Sequence, residues 1–252
     1  MGAGIGGGFE HTFELIIPMK YHEAMRKDPK GWKKAVQKEH ERMVEHGVFK
    51  PIDMNQVPKK SKISTSTRSM KQKADGTKRA RLNARGFEQI PGEHYSETGV
   101  SSPVVNEASI FMLLTLLVMA RLYGELNDFK GAFLNGHFTN GEKLYMRIPE
   151  GFEAYYPIGI LLLLLKTIYG LKQSAFEYWR ALFQALKGVG LKRSKADPCV
   201  YLRWTNNGLN IWTSWVNDLL AIGNKADVVE GRENLKEYFS LDEVGEVLEY
   251  VC

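Results

Sequence analysis

Two acidic positions ninety residues apart, Asp128 and Asp218, are the side chains of this sequence best suited to chemistry. Asp218 follows Asn217 in residues 210–223, NIWTSWVNDLLAIG: an apolar run, a polar pair and a second apolar run. That pattern predicts a β-hairpin with Asn217-Asp218 at its tight turn. Asp128 ends an apolar stretch in ELNDFKGAFLNG. Brought together, Asp128 and Asp218 would form a carboxylate cluster able to hold two divalent ions for phosphoryl or nucleotidyl transfer. The competing reading is structural, because Asn-Asp between strands is ordinary turn chemistry.

A second charged feature lies at residues 59–85, where ten Lys and Arg stand against a single acid, Asp75. Within it, Ala74-Asp75-Gly76-Thr77 predicts a turn between strands at 64–73 and 78–84. Such a basic two-stranded flap suits the phosphates of a nucleic acid or a nucleoside triphosphate. Equally, lysines on an exposed hairpin protect its edge from pairing with other chains.

The frame around these features is large enough for a real core. The chain has 252 residues, 44% of them apolar, which allows one large domain or two lobes. A net charge of +5 hints at an anionic partner. Cys199 and Cys252 are too few for a disulfide or metal framework and fit free thiols in a reducing compartment. No signal peptide is legible in MGAGIGGG, and the apolar runs at 108–120 and 158–165 are too short to span a bilayer. They predict a buried helix and a buried strand, and no membrane partner.

Two apparent motifs carry nothing. Gly2, Gly4 and Gly7 form a G-x-G-x-x-G with no strand before it, so residues 1–27 read as a flexible N-terminal segment. His40-Glu41 lacks the second histidine of a zinc-protease motif, because position 44 is Val44.

Asp28-Pro29 predicts a capped start to an amphipathic helix over 29–46, with Gly47 as its stop. Further helices are expected at 106–121, after Ser174, and at 226–239. Strands are expected at 123–127, 142–148, 161–166, 199–204 and in the central hairpin. Antiparallel strands with helices on one side imply an α+β domain.

Taken together, six blocks in order resemble the reverse transcriptase of copia-type LTR retrotransposons. They are ADGTKRARLNARGFEQIPGEHYSET, LNDFKGAFLNG, EKLYMRIPEGF, KTIYGLKQSAFEYW, DPCVYLRW and SWVNDLLAIG. The resemblance covers roughly residues 32–252. It implies a right-hand polymerase with a fingers-like lobe at 28–105, carrying the basic hairpin. A ferredoxin-like antiparallel palm would follow at 106–252, truncated before the thumb, with RNase H absent as well. Catalytic positions would be Asp128, Asn217 and Asp218. Asp128, Asp218 and the Phe129 backbone would hold two Mg²⁺ ions, or Mn²⁺, with Asn217 a degenerate fourth position. Deoxynucleotide contacts would come from Lys73, Arg79, Arg81, Gly131, Ala132, Phe133 and Gln173. Phe133 would select against a 2′-hydroxyl, or else serve as a core aromatic. Primer-template contacts would come from Lys71, Lys78, Arg85, Tyr169, Gly170, Lys172 and Trp215. Partners implied are a primed RNA or DNA template, deoxynucleotides, and the RNase H and integrase regions of a Pol polyprotein. The setting implied is a cytoplasmic virus-like particle with a nuclear phase.

The sequence departs from that family at three named positions. Asn217 stands where the family has aspartate, Phe111 where arginine is usual, and Arg68 where tryptophan is common. An amide offers a neutral oxygen instead of an anion, so weak metal binding and slow catalysis are expected. Two readings therefore stand: an impaired polymerase domain, and a catalytically dead remnant that still binds nucleic acid. An unrelated two-metal nuclease or cyclase would require the block order to be coincidence.

Overall fold

The computed structural model describes residues 19–73, 75–139 and 141–247, with the side chains of 242–244 excepted. The glycine-rich stretch at 2–8, Ala74 of the expected turn, and Cys252 lie outside them. In chain order the elements are α1 (Tyr21–Lys27), α2 (Pro29–Glu45), β1 (Phe49–Asp53), β2 (Ile63–Ser64), β3 (Ser66–Gln72), β4 (Lys78–Ala84), α3 (Glu107–Met119), β5 (Tyr123–Phe129), β6 (Leu144–Arg147), β7 (Ile160–Leu164), α4 (Ser174–Gly188), β8 (Lys192–Arg193), β9 (Val200–Thr205), β10 (Gly208–Trp215), β11 (Asp218–Gly223), α5 (Lys225–Leu235) and β12 (Leu241–Glu246). The fold is mixed α+β, as expected. Its elements fall into two compact units, one of described residues 19–101 and 133–178, the other of 102–132 and 179–247.

In the first unit α2 begins as its sequence dictates: the Asp28 side chain accepts a hydrogen bond from Gly31 N at 2.9 Å, with Pro29 in the first turn. Trp32, Ala35, Val36 and Met43 form its buried stripe. Met70, Ala80 and Leu82, on the inner face of the β3–β4 hairpin, belong to the same core cluster. Residues 21–27, expected to be flexible, instead form α1, whose Ala24 is fully buried in that cluster. A four-stranded sheet in the order β1-β7-β6-β2 completes the unit. Pro51 sits in β1, an edge strand, where a missing N–H costs no ladder bond. Arg68 is accommodated rather than exposed. Its Nε donates to the Glu150 carbonyl, and its guanidinium lies 4.3 Å from the Phe152 ring centroid.

The second unit is a six-stranded sheet, β12-β5-β11-β10-β9-β8, with every pairing antiparallel. Helices cover both of its faces, not one. Leu126, Ile211, Leu220 and Ile222 join Ile110, Leu113 and Leu117 of α3 in one core cluster. On the opposite face Trp212 meets Gly231 of α5, and Tyr201 stacks on Phe183 of α4 at 6.4 Å. This two-sided cover is why β11 reads as an unbroken apolar run, with residues 219–223 all buried.

Helix α3 corrects a further expectation. Asn106 caps it, accepting from Ala108 N at 2.9 Å. Only Ile110, Leu113 and Leu117 are buried, however, while Phe111 and Met119 are 68% and 79% exposed. A helix apolar all round has no periodicity to say which side is inside. Phe111→Arg is therefore expected to leave stability within about 0.5 kcal/mol of the native chain in urea denaturation.

Candidate active site

Strands β10 and β11 are joined by the two residues Val216 and Asn217, and Trp215 pairs with Asp218 to close the turn. Two-residue hairpins need a positive φ at their first central position. Val216 supplies it at φ 54°, a strained setting for a β-branched residue. The turn holds its tip residues in fixed positions, and Asp218 opens β11. Trp215 is half-buried against the apolar cluster beneath the sheet.

Strand β11 pairs with β5 in the register Asp218↔Asp128. Direct partners in an antiparallel ladder share a face, with β-carbons about 5 Å apart. The two acids predicted to converge do so, across ninety residues of sequence. Like charges opposite one another are unfavourable. The electrostatics register it: burial first, and the Asp128 charge second, raise the Asp218 carboxyl above its usual range. Asn217 joins them, its Nδ2 donating to Asp128 Oδ1 at 2.7 Å.

The segment after Asp128 is fixed by backbone bonds. Phe129 N donates to the Asn217 carbonyl at 3.0 Å, and Lys130 N to the Ser240 carbonyl at 3.0 Å. The Phe129 ring is buried edge-on against Phe239 at 5.2 Å. Gly131 takes φ 62°, where a side chain would be strained, and Ala132 is buried.

Two carboxylates with hard oxygens suit one divalent cation of the Mg²⁺ or Mn²⁺ type. Asn217 presents an N–H to Asp128 and adds no negative charge to the pair. Among the described residues no group of three or more His, Cys, Asp or Glu side chains is gathered.

In the other unit, the outer face of the β3–β4 hairpin forms a groove of about 320 Å³. The register sets Lys71 opposite Arg79 and Ser69 opposite Arg81. Lys71, Lys73, Arg79, Arg81 and Tyr169 all line the groove, and the Arg81 guanidinium lies 5.0 Å from the Tyr169 ring centroid. The turn closes as its sequence predicts, with Asp75 accepting from Thr77 N at 2.7 Å and Gly76 at φ 79°. Lys78 is engaged elsewhere, 2.8 Å from Asp28 at the start of α2. Arg85 lies 3.9 Å from Glu88.

Gly170 lies against β4. A β-carbon there would come 2.2 Å from the Ala84 carbonyl oxygen, and one on Gly86 would come 2.2 Å from the Gly170 carbonyl oxygen. Gln173 is buried, accepting from Gln89 Nε2 at 2.9 Å and donating to the His94 carbonyl at 2.8 Å. Its amide thus ties down the 89–94 loop. The neighbouring Lys172 is exposed at its side chain, and its N–H donates to Gln89 Oε1 at 2.7 Å. Phe133 is half-buried, edge-on to Tyr169 at 5.1 Å and Tyr178 at 6.1 Å. Sequence reasoning missed Gln89 and His94, whose only signal was a polar pair inside the EQIPGEH loop.

Residues 48–252 match the family model described as reverse transcriptase (RNA-dependent DNA polymerase). The chain is 32% identical over 219 residues to the retrovirus-related Pol polyprotein from transposon TNT 1-94 of Nicotiana tabacum, covering 84% of this chain and 16% of that protein. It is 30% identical over 164 residues to the Pol polyprotein from transposon RE1 of Arabidopsis thaliana, covering 65% and 11%. To the transposon Ty1-H Gag-Pol polyprotein of Saccharomyces cerevisiae it is 27% identical over 194 residues, covering 73% and 10%. The chain spans at most 16% of the length of these relatives. A foamy viral protease-reverse transcriptase in complex with double-stranded DNA aligns with a TM-score of 0.43 at 12% identity, over 83% of this chain and 30% of that one.

Proposed function

Because the chain belongs to the reverse transcriptase (RNA-dependent DNA polymerase) family, in its copia-type branch, we propose that it serves a retrotransposon Pol polyprotein by template-directed transfer of deoxynucleotides to a primer 3′-hydroxyl. The observation that carries the proposal is the Asp218↔Asp128 pairing beside a two-residue turn. In this reading the unit holding β5 and β11 acts as palm and the basic hairpin as part of the fingers. Asp128 and Asp218 would hold a divalent ion through carboxylate oxygens. Bound there, Mg²⁺ or Mn²⁺ would supply activation of the hydroxyl and neutralisation of triphosphate charge. Gly131 lets backbone approach the triphosphate, since no β-carbon intervenes. Phe133, braced by Tyr169 and Tyr178, supplies the bulk that rejects a 2′-hydroxyl.

A second reading has a specific observation behind it. The Asn217–Asp128 hydrogen bond puts a neutral donor where the reaction needs anionic charge. On that reading the domain binds primer-template and turns over slowly or not at all.

The groove cations test the shared part of both readings. Removing a cation that neutralises one phosphate lowers the slope of log affinity against log salt by about one. Lys71→Ala and Arg79→Ala are each expected to weaken primer-template binding, measured by fluorescence anisotropy across a salt series, and to flatten that slope. Lys78→Ala is expected to leave the slope unchanged, because Asp28 already holds that ammonium. Equal slopes for all three variants and the native chain would remove the hairpin from the nucleic-acid interface. Primer extension on an RNA template by the same protein tests the chemistry, and absence of any binding would refute both readings.

A further inference from the structure

We propose that the carboxylate site of this chain takes one divalent cation, where the two-ion chemistry of its family requires a pair. The inference rests on the reading of Asp128 and Asp218 as the metal site of nucleotidyl transfer.

The argument is one of charge and donor type. Two divalent cations bring four positive charges to within about 4 Å of each other, which is stable only around shared anionic oxygens. Asp128 and Asp218 supply two negative charges, which balance one such cation and leave a second uncompensated. The remaining side chain of the turn, Asn217, aims an N–H at Asp128 Oδ1 from 2.7 Å. Turned over, its amide would offer one neutral oxygen and no charge.

Among the described side chains, the neighbouring groups do not make up the deficit. Glu125 is on the same strand, but three residues from Asp128, and strand alternation sends the two to opposite faces. Its carboxylate is fully buried and accepts from Tyr123, Asn127 and Arg232. Lys130 beyond the site is itself a cation. The backbone register sets residue 242 of β12 opposite residue 128. By that register position 242, an aspartate in the sequence, is a place from which a third acid could be recruited, and the test includes it.

The experiment titrates Mn²⁺ into the 252-residue chain and counts bound ions by loss of the free-ion electron paramagnetic resonance signal. Circular dichroism verifies that each variant is folded. One ion per native chain is expected, lost in Asp128→Asn and in Asp218→Asn. Asn217→Asp is expected to bind two, with the first roughly tenfold tighter or more, as an added neighbouring charge requires. Asn217→Ala, which adds no charge, keeps the count at one and stands in if the aspartate variant does not fold. A native count of two overturns the inference; if Asp242→Asn then lowers it to one, β12 supplies the missing anion. A count of one in a folded Asn217→Asp also overturns it, since Asn217 would not be what bars the second ion. An ion that survives both aspartate substitutions lies elsewhere, and the reading of the site itself fails. The same holds if native chain and Asn217→Asp both bind none. If only Asn217→Asp binds, the site reading survives and the one-ion inference does not.

Discussion

Asn217→Asp is expected to extend a DNA primer on an RNA template about a thousandfold faster than the native chain in Mg²⁺, a change of roughly 4 kcal/mol in the barrier. The reason is local. The substitution replaces an N–H donor, now 2.7 Å from Asp128 Oδ1, with an anionic oxygen at the tip of the same turn. Nothing else in the β10–β11 hairpin has to move, because Trp215↔Asp218 and the backbone bond from Phe129 N to the Asn217 carbonyl do not involve the side chain that changes. The gain has a cost without metal. Losing the amide hydrogen bond and adding a third carboxylate should lower metal-free stability by about 1–3 kcal/mol. Divalent ions should restore it, because a ligand that binds only the folded state stabilises it by mass action. Native chain and variant extending at equal rates would refute this account of Asn217. If neither extends while both bind primer-template, the limiting defect lies away from the turn.

The parts of this structure that are legible in the sequence are those fixed by short-range chemistry. The Asp28-Pro29 cap starts α2 where expected, and Asp75-Gly76 closes the β3–β4 hairpin with its strands close to the anticipated bounds. The meeting of Asp128 with Asp218 is different. Each strand end is visible alone, but a pairing ninety residues apart has no local signature, and only the ordered blocks of the family resemblance point to it. Three features escape for definite physical reasons. Helix α3 is apolar on every side, so its exposed face cannot be told from its buried one. Strand β1 contains Pro51, which argues against a strand except at a sheet edge, and edge position is a property of the assembled fold. Gln173 is a nucleotide contact only by the family resemblance; nothing local in the sequence shows that its amide bonds the Gln89 side chain and the His94 carbonyl, some eighty residues earlier. The buried ion pair behind the site is equally invisible, since a charge inside a strand makes sense only once its partner is known.

That pair gives the second large effect. Arg232→Met is expected to destabilise the chain by about 3–5 kcal/mol in urea denaturation, read by linear extrapolation. Glu125 has no exposed surface, and Arg232 Nη1 lies 2.9 Å from its Oε2. Without the guanidinium the carboxylate keeps, among the described residues, two neutral donors, the Tyr123 hydroxyl and the Asn127 amide, each at 2.9 Å. A buried anion left so incompletely compensated costs more than the pair itself contributes. Adding Glu125→Gln to Arg232→Met removes that orphaned charge while keeping an oxygen for the Asn127 amide and an N–H for the Tyr123 hydroxyl oxygen to accept. The double variant should therefore be more stable than Arg232→Met alone, a non-additivity that distinguishes stranded charge from poorer packing. An Arg232→Met cost below about 1 kcal/mol would class the contact with ordinary surface pairs. A double variant no better than the single would mean that Arg232 acts by packing against β5. In either case the strand that presents Asp128 would be held by something other than this charge.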